Sequence, residues 1–260
     1  MAHVPRKRFG QHFLTDKETI AHIIDVISPK PEEHLIEIGP GQGALTLPVL
    51  KIAKQLTAIE LDRDLIEKLK TASAPLGTLT LYSADVLNFD FEILKQDTRL
   101  LRIFGNLPYN ISTPLIFHLL TFHAIIADMC FMLQKEVAER LAATPNTAHY
   151  GRLSVMIQYH LQVMLLFDVP PDAFRPPPKV TSTIVRLIPH ETRPYTVNNY
   201  PLFATIVREA FGQRRKTLRN SLKTYMSDAM WSVSHLHPDA RAENLSVSDF
   251  VILANQIEKG

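Results

Sequence analysis

Cysteine is almost missing from this chain of 260 residues, where Cys130 stands alone. An intramolecular disulfide is therefore impossible, and so is a zinc site built on several thiolates; the usage suits a reducing compartment. Glycine is scarce as well. Nine glycines against eighteen prolines reverse the usual ranking and imply stiff loops. No long apolar run is present: the longest, Ala124 to Leu133, is interrupted by Asp128 and is too short to span a bilayer. The basic amino terminus runs into Phe9-Gly10-Gln11-His12-Phe13-Leu14-Thr15-Asp16, which lacks the apolar core of a signal peptide. These absences predict a soluble, cytoplasmic protein with no membrane partner. The histidines form no metal-ligand spacing, since His118 and His123 are five apart and His235 and His237 have no acidic partner at helical spacing, so no metal is expected. A G-x-S-x-G elbow is also lacking, which removes the Ser/His/Asp hydrolase reading.

What is there is an ordinary globular composition, 46% hydrophobic and 21% charged, with a net charge of only +2. The distribution of that charge says more. Arg6, Lys7 and Arg8 stand without an acid, and Arg208, Arg214, Arg215, Lys216, Arg219 and Lys223 face the single acid Glu209. Two basic islands on a nearly neutral body suit a nucleic-acid contact. Thr15-Asp16-Lys17-Glu18 has a capping-box pattern followed by isoleucines at helical spacing. Short apolar runs recur at 35–39, 56–60, 79–82, 101–105 and 129–133, with helical patterns over 44–53, 63–70 and 114–120 between several of them. That alternation predicts an α/β fold with a parallel sheet covered on both faces, its binding crevice at the carboxyl ends of the strands. A helix at 135–143 and apolar stretches at 153–169 and 182–188 follow, the last two separated by Phe174-Arg175-Pro176-Pro177-Pro178-Lys179, which cannot be a central strand. Beyond Pro194 only helical patterns remain, at 206–211, 216–225 and 248–257. The expected division is 1–192 for the α/β domain and 193–260 for a small helical one. Nothing demands more than a monomer.

Glu37-Ile38-Gly39-Pro40-Gly41-Gln42-Gly43-Ala44 is the strongest local signal, because glycines let the backbone turn sharply after a strand and approach a ligand closely. With Glu60 one βα unit later, it also fits a dinucleotide fingerprint; Pro40 removes one N–H from a phosphate cradle and favours a ligand without phosphates. Glu60, Asp85 and Asn106 each arrive at the end of a successive strand. Singly, each acid reads as a strand end or a cap; in register behind a glycine loop, the two acids suit the hydroxyls of a ribose and the amino group of an adenine. Asn106-Leu107-Pro108-Tyr109 offers two acceptors, the Asn106 side-chain oxygen and the Leu107 carbonyl, for the hydrogens of an exocyclic amino group. Pro108 fixes the turn, and Tyr109 is a ring on which an extruded base stacks. A plain turn with a core tyrosine is the alternative. Phe174 reads either as a second stacking face or as a buried anchor for its loop. Arg215 and Arg219 are expected on one helical face that meets phosphates.

Together these segments resemble one family. Arg8–Leu14, Glu37–Thr46, Ile59–Asp62, Asn106–Thr113, Gln134–Val137, Tyr150–Val155, Phe174–Val180, Gln213–Leu222 and Arg241–Asn244 are similar to the bacterial small-subunit ribosomal RNA adenine dimethyltransferases, the family associated with kasugamycin resistance. The resemblance covers nearly the whole chain. It implies a Rossmann-like methyltransferase sheet, S-adenosylmethionine as methyl donor, and a small all-α C-terminal domain that meets RNA or the ribosome. It implies as substrate two adjacent adenosines near the 3′ end of 16S rRNA, within the 30S subunit or its precursor, each becoming N6,N6-dimethyladenosine. The family's cofactor contacts fall on His12, Leu14, Gly39, Glu60, Asp85 and Asn106, with Gly41 in the same loop; Glu60 would hold the ribose and Asp85 the adenine. Asn106, Leu107, Pro108, Tyr109 and Phe174 would form the catalytic group, and Arg6, Lys7, Arg8, Arg214, Arg215, Lys216 and Arg219 the RNA contacts. Two departures stand out: position 12 is commonly Asn in the family, and Ser83-Ala84-Asp85 lacks an expected glycine. Rival readings are methylation of 23S rRNA or DNA adenine, and a ribosome-assembly module that keeps the pocket without turnover.

Overall fold

The first described residues form a short strand, β1 (Phe13–Leu14), whose exit is fixed by the Thr15 and Asp16 amides donating to the Ala173 carbonyl. The computed structural model describes residues 12–192, 194–213 and 215–259, so Arg6, Lys7, Arg8 and Arg214 lie outside the described residues. Asp16, rather than Thr15, caps α1 (Lys17–Ile27): its carboxylate accepts from the Thr19 amide at 2.8 Å. The Thr15 hydroxyl donates instead to the Ala173 carbonyl. The alternation read from the apolar runs then unfolds as β2 (His34–Ile38), α2 (Thr46–Ala53), β3 (Gln55–Glu60), α3 (Arg63–Ser73), β4 (Thr78–Ser83), β5 (Leu101–Asn106), α4 (Ser112–Leu120) and β6 (Ile126–Gln134). After α5 (Lys135–Ala142) come α6 (Arg152–Gln158), β7 (Leu161–Val169), β8 (Phe174–Arg175) and β9 (Ser182–Pro189). The apolar stretch 153–169 thus divides into a helix and a strand. The chain ends with α7 (Tyr200–Phe211), α8 (Leu218–Ser221), α9 (Asp228–Val233) and α10 (Val247–Lys259).

The large sheet has the order β4-β3-β2-β5-β6-β9-β7. Its five strands from β4 to β6 run parallel, as alternating βα units require, and β9 then pairs antiparallel to β6. This is a Rossmann-like α/β sheet. The chain winds outward from β2 to β4, then returns to the other side of β2 for β5, so the switch point lies between β2 and β5. Open sheets of this kind bind ligands beyond the carboxyl ends of the strands at such a point. Gly105 sits on β5 at that junction. A Cβ there would lie 2.3 Å from the Ile38 carbonyl oxygen, so only glycine lets the two strands approach this closely.

One apolar cluster fastens α1 and α2 to the sheet, joining Ile23, Ile24 and Ile27 with Val49, Leu50 and Ala53 over Leu35, Phe104, Cys130, Met132 and Ile184. At the amino ends of the strands Arg102 is held by Glu33 at 2.7 Å, by Asp128 at 2.8 Å and 3.1 Å, and by the Ile27 carbonyl at 2.9 Å.

The described residues divide into two compact units. One is the chain through Ala138 with Met164–Pro189, and the other is Glu139–Val163 with the chain from His190 onward. The division near residue 192 read from the pattern change is close to the last of these crossings. Residues 139–163 group with the carboxyl-terminal helices because their polar groups are used there: the Tyr150 hydroxyl donates to the Leu245 carbonyl, and Asn244 donates to Asn146. In this second unit Phe203, Ile206, Val207 and Ala210 form the buried face of α7. The helix expected at 216–225 shrinks to the four residues of α8, which puts Arg215 and Lys216 in the connection after α7. They are exposed there, and the expected helical face shared by Arg215 and Arg219 does not form. Arg219 instead pairs with Asp228 at 2.7 Å. No described helix is long and apolar enough to cross a membrane.

Candidate active site

A cleft of about 250 Å³ opens at the carboxyl ends of β2, β3 and β5. Its walls include His12, Leu14, Gly39, Gly41, Glu60, Asp85, Asn106, Leu107, Pro108 and Tyr109, so the structure gathers residues spread over nearly a hundred positions of sequence. The volume approaches the roughly 300 Å³ at which small-molecule sites begin. Gly39 ends β2 with a φ of +65°, and a Cβ there would meet nothing within 4 Å. The turn needs the left-handed backbone, and it keeps the floor of the cleft clear.

Glu60 is 7% exposed. One of its oxygens accepts from the Asp62 amide at 2.8 Å and the other from the Gly41 amide at 3.1 Å. Burial nevertheless pushes its carboxyl above the ordinary range, these amides offsetting part of the effect. Each oxygen retains a further lone pair, which is what a vicinal diol requires. Asp85 begins a 3₁₀ turn, where its oxygens accept from the Leu87 amide and the Asn88 side chain. The cap and the ligand-facing position are compatible, because Asp85 is exposed on the cleft wall.

Asn106 closes β5. Its Nδ2 donates to the His12 carbonyl at 3.1 Å. A carbonyl only accepts, so the amide nitrogen must face His12 and the Asn106 oxygen is left as an acceptor. Beyond it Leu107 is buried and its amide donates to the Met132 carbonyl, while the Pro108 carbonyl is used by the Ile111 amide. Tyr109 is half-buried. Its hydroxyl meets Ser182 Oγ at 2.8 Å, its carbonyl accepts from Ser112 Oγ, and its ring lies 5.9 Å from that of His12 at an interplanar angle of 25°. Burial raises the Tyr109 phenol further above its ordinary value, so it stays protonated.

Two readings change on contact with the packing. Phe174 is 1% exposed and belongs to the apolar cluster under β1, whose Leu14 it faces in the two-stranded β1–β8 pair. That packing anchors its loop. Glu37, by contrast, had no role assigned from sequence, yet it lines the cleft at 1% exposure. Burial pushes its carboxyl up to about 8, with the Thr46 hydroxyl opposing and Glu60 adding to the rise. Its Oε2 has no hydrogen-bond partner among the described residues. A buried acid with an orphaned oxygen beside a glycine turn fits a ligand that carries a cationic group. The signal was the acid inside an otherwise apolar strand. Cys130 is buried with its thiol pushed up to about 12, so it supplies no nucleophile. No cluster of metal-ligating side chains occurs among the described residues.

Comparison with known proteins points to a family. The profile of the ribosomal RNA adenine dimethylase family matches residues 2–259. The chain is 55% identical over 260 aligned residues to ribosomal RNA small subunit methyltransferase A of Chromohalobacter salexigens, covering 98% of this chain and 92% of that protein. It is 51% identical over 258 residues to the protein of the same name from Vibrio vulnificus, covering 99% and 96%. Among solved structures it is similar to a dimethyladenosine transferase from Plasmodium falciparum, with a TM-score of 0.80 at 27% identity over 95% of this chain and 98% of that one. The 23S rRNA methyltransferase ErmE shares the fold at a TM-score of 0.73 and 23% identity, covering 95% and 99%.

Proposed function

The chain belongs to the ribosomal RNA adenine dimethylase family, and from that premise we propose that it transfers methyl groups from S-adenosylmethionine to N6 of two adjacent adenosines near the 3′ end of 16S rRNA. Each becomes N6,N6-dimethyladenosine, in the 30S subunit or its precursor. The enzyme works as a cytoplasmic monomer without a metal. When bound, S-adenosylmethionine supplies an electrophilic methyl group on a positively charged sulfur. Glu60 suits its ribose hydroxyls, Asp85 its adenine amino group, and the orphaned oxygen of Glu37 its ammonium.

The observation that carries the reading is the fixed Asn106 amide. An adenine amino nitrogen is a poor nucleophile because its lone pair is delocalised into the ring. Asn106 Oδ1 and the Leu107 carbonyl accept its two hydrogens, which draws the nitrogen toward a tetrahedral geometry as charge develops. Pro108 holds both acceptors in one turn, and Tyr109 supports the base once it has left its stack. No side chain is required to take the proton, since the alkylated nitrogen is acidic. Catalysis is chiefly alignment.

The test is transfer of radiolabelled methyl groups to undermethylated 30S subunits, in parallel with 23S rRNA and adenine-containing DNA. Two labelled dimethyladenosines in 16S rRNA are expected. Preferential labelling of 23S rRNA or DNA would move the substrate, and 30S binding without any transfer would reduce the protein to an assembly module.

A further inference from the structure

Asp85 is exposed, on a segment with little of its own to hold it. That segment is a single 3₁₀ turn, Val86–Asn88. The carboxylate is aimed from within it, one oxygen accepting from the Leu87 amide at 3.0 Å and the other from Asn88 Nδ2 at 3.1 Å, so the acid points wherever the turn points. Of residues 84–90 only Val86 and Phe89 are buried. The firmer anchor lies outside the cleft. His118 Nε2 meets the Phe89 carbonyl at 2.8 Å; a carbonyl only accepts, so Nε2 carries the proton. The Phe89 ring stands edge-on to Tyr82 and Phe91, at 5.3 Å and 5.2 Å between centroids. His118 is itself set edge-on to Phe122 at 5.2 Å and lies 6.0 Å from the Phe91 ring. A histidine is out of character on α4, which is otherwise apolar beyond its first turn. Leucine would fill a similar volume but could not hold a carbonyl.

We propose that His118 is a positioning residue: through the Phe89 carbonyl it fixes the turn on which Asp85 meets the cofactor's adenine amino group. His118 does not line the cleft, whereas Asp85, Val86 and Leu87 do, so it acts only through the turn. The frame it belongs to is well placed for this. At the start of α4 the Ser112 hydroxyl donates to the Tyr109 carbonyl and the Ile111 amide to the Pro108 carbonyl. One helix thus carries the Asn106–Tyr109 turn at its amino end and, near its carboxyl end, the group that holds the segment after β4. The consequence is selectivity. A carboxylate only accepts, so a fixed Asp85 favours a 6-amino purine and disfavours a 6-oxo one, where two acceptors would face each other. A carboxylate free to swing on a loosened turn distinguishes them less.

This inference rests on Asp85 meeting the adenine amino group, and the experiment separates the two. Calorimetry compares S-adenosylmethionine with its 6-oxo analogue, in which hypoxanthine replaces adenine. The native protein is expected to bind the amino form about tenfold tighter or more, and Asp85→Ala to abolish that preference. His118→Leu, which keeps the volume and removes the donor, should reduce the preference about fivefold, by weakening the amino form. His118→Gln, whose Nε2 reaches toward the same carbonyl, should restore most of it. Once Asp85 is replaced by Ala, His118→Leu should have no further effect on either ligand. If the leucine variant is unfolded, His118→Gln against the shorter His118→Asn makes the same comparison. A preference lost in Asp85→Ala but intact without the His118 donor overturns the positioning role and leaves Asp85 in place. So does an equal loss of affinity for both ligands, the mark of general loosening. A preference that is missing in the native protein, or that survives Asp85→Ala, removes the Asp85 contact and the positioning role with it.

Discussion

Asn106 stands where two demands meet, because its amide nitrogen is spent on the His12 carbonyl and only its oxygen is left for the proposed acceptor role. Asn106→Ala should therefore lower the single-turnover rate about a hundredfold or more. Under the proposed function, binding to 30S subunits should change little, since phosphate contacts supply most sequence-independent RNA affinity. If excess S-adenosylmethionine restored the native rate, the side chain would be a cofactor contact alone. Glu37 leads to a different measurement. Its ordinary value of 4.5 is pushed up to about 8 by burial, so between those values the folded state holds a proton that the unfolded chain has lost. Stability is then fully present below about pH 4.5 and declines as pH rises toward about 8. Glu37→Gln should match the native protein near pH 5 and exceed it above about pH 8 in urea titrations; parallel curves would remove Glu37 from the account. Glu60, Asp85 and Asn106 were legible as residues of the strand ends because each lies at or just past the end of an apolar run. Glu37 was not, since an acid within a strand also reads as the solvated side of a two-faced sheet. Phe174 was undecidable for a related reason: its burial depends on β1 arriving from more than 150 residues away.

The elements that carry the site are held from the far end of the sheet. Arg102 on β5 joins Asp128 on β6 and Glu33 before β2, with side-chain exposures of 18%, 15% and 20%. A pair this sheltered leaves a buried charge behind when one partner is removed. Arg102→Met is expected to cost about 2–3 kcal/mol, less than the roughly 3–5 kcal/mol of full burial. Denaturant titration should register that loss while calorimetry finds cofactor affinity unchanged, because the cluster lies at the opposite strand ends. Strands β2 to β6 were readable from their apolar runs, with boundaries displaced by a residue or two in most cases. The stretch 153–169 was not, because period alone does not separate a buried helix from a strand. Only the structure places the break at Tyr159 and His160. The helix expected at 216–225 failed in the same way. Its basic residues are good helix formers, but only Leu218 to Ser221 continue as a helix, and tertiary packing overrides a weak local preference.

At the scale of the whole molecule, the proposed function asks a nearly neutral protein to meet RNA phosphates with its few unbalanced cations. Arg215 and Lys216 are exposed in the connection after α7, whereas Arg219 is already engaged with Asp228. Replacing Arg215 and Lys216 together by Gln should weaken attachment to 30S subunits and flatten the slope of log K against log salt by about one unit per lost phosphate contact. Cofactor affinity should be untouched. An unchanged slope would make the pair a solvated turn. The proposed chemistry depends on a spacing set by the absence of one methyl group. Gly105 lets β5 lie against the Ile38 carbonyl, immediately before the residues proposed to meet cofactor and base. Donor loop and acceptor loop are in consequence geared to each other through main-chain atoms, with no flexible side chain between them to absorb error. A side chain at position 105 would therefore push the two turns apart together, disturbing both halves of the proposed pocket at once.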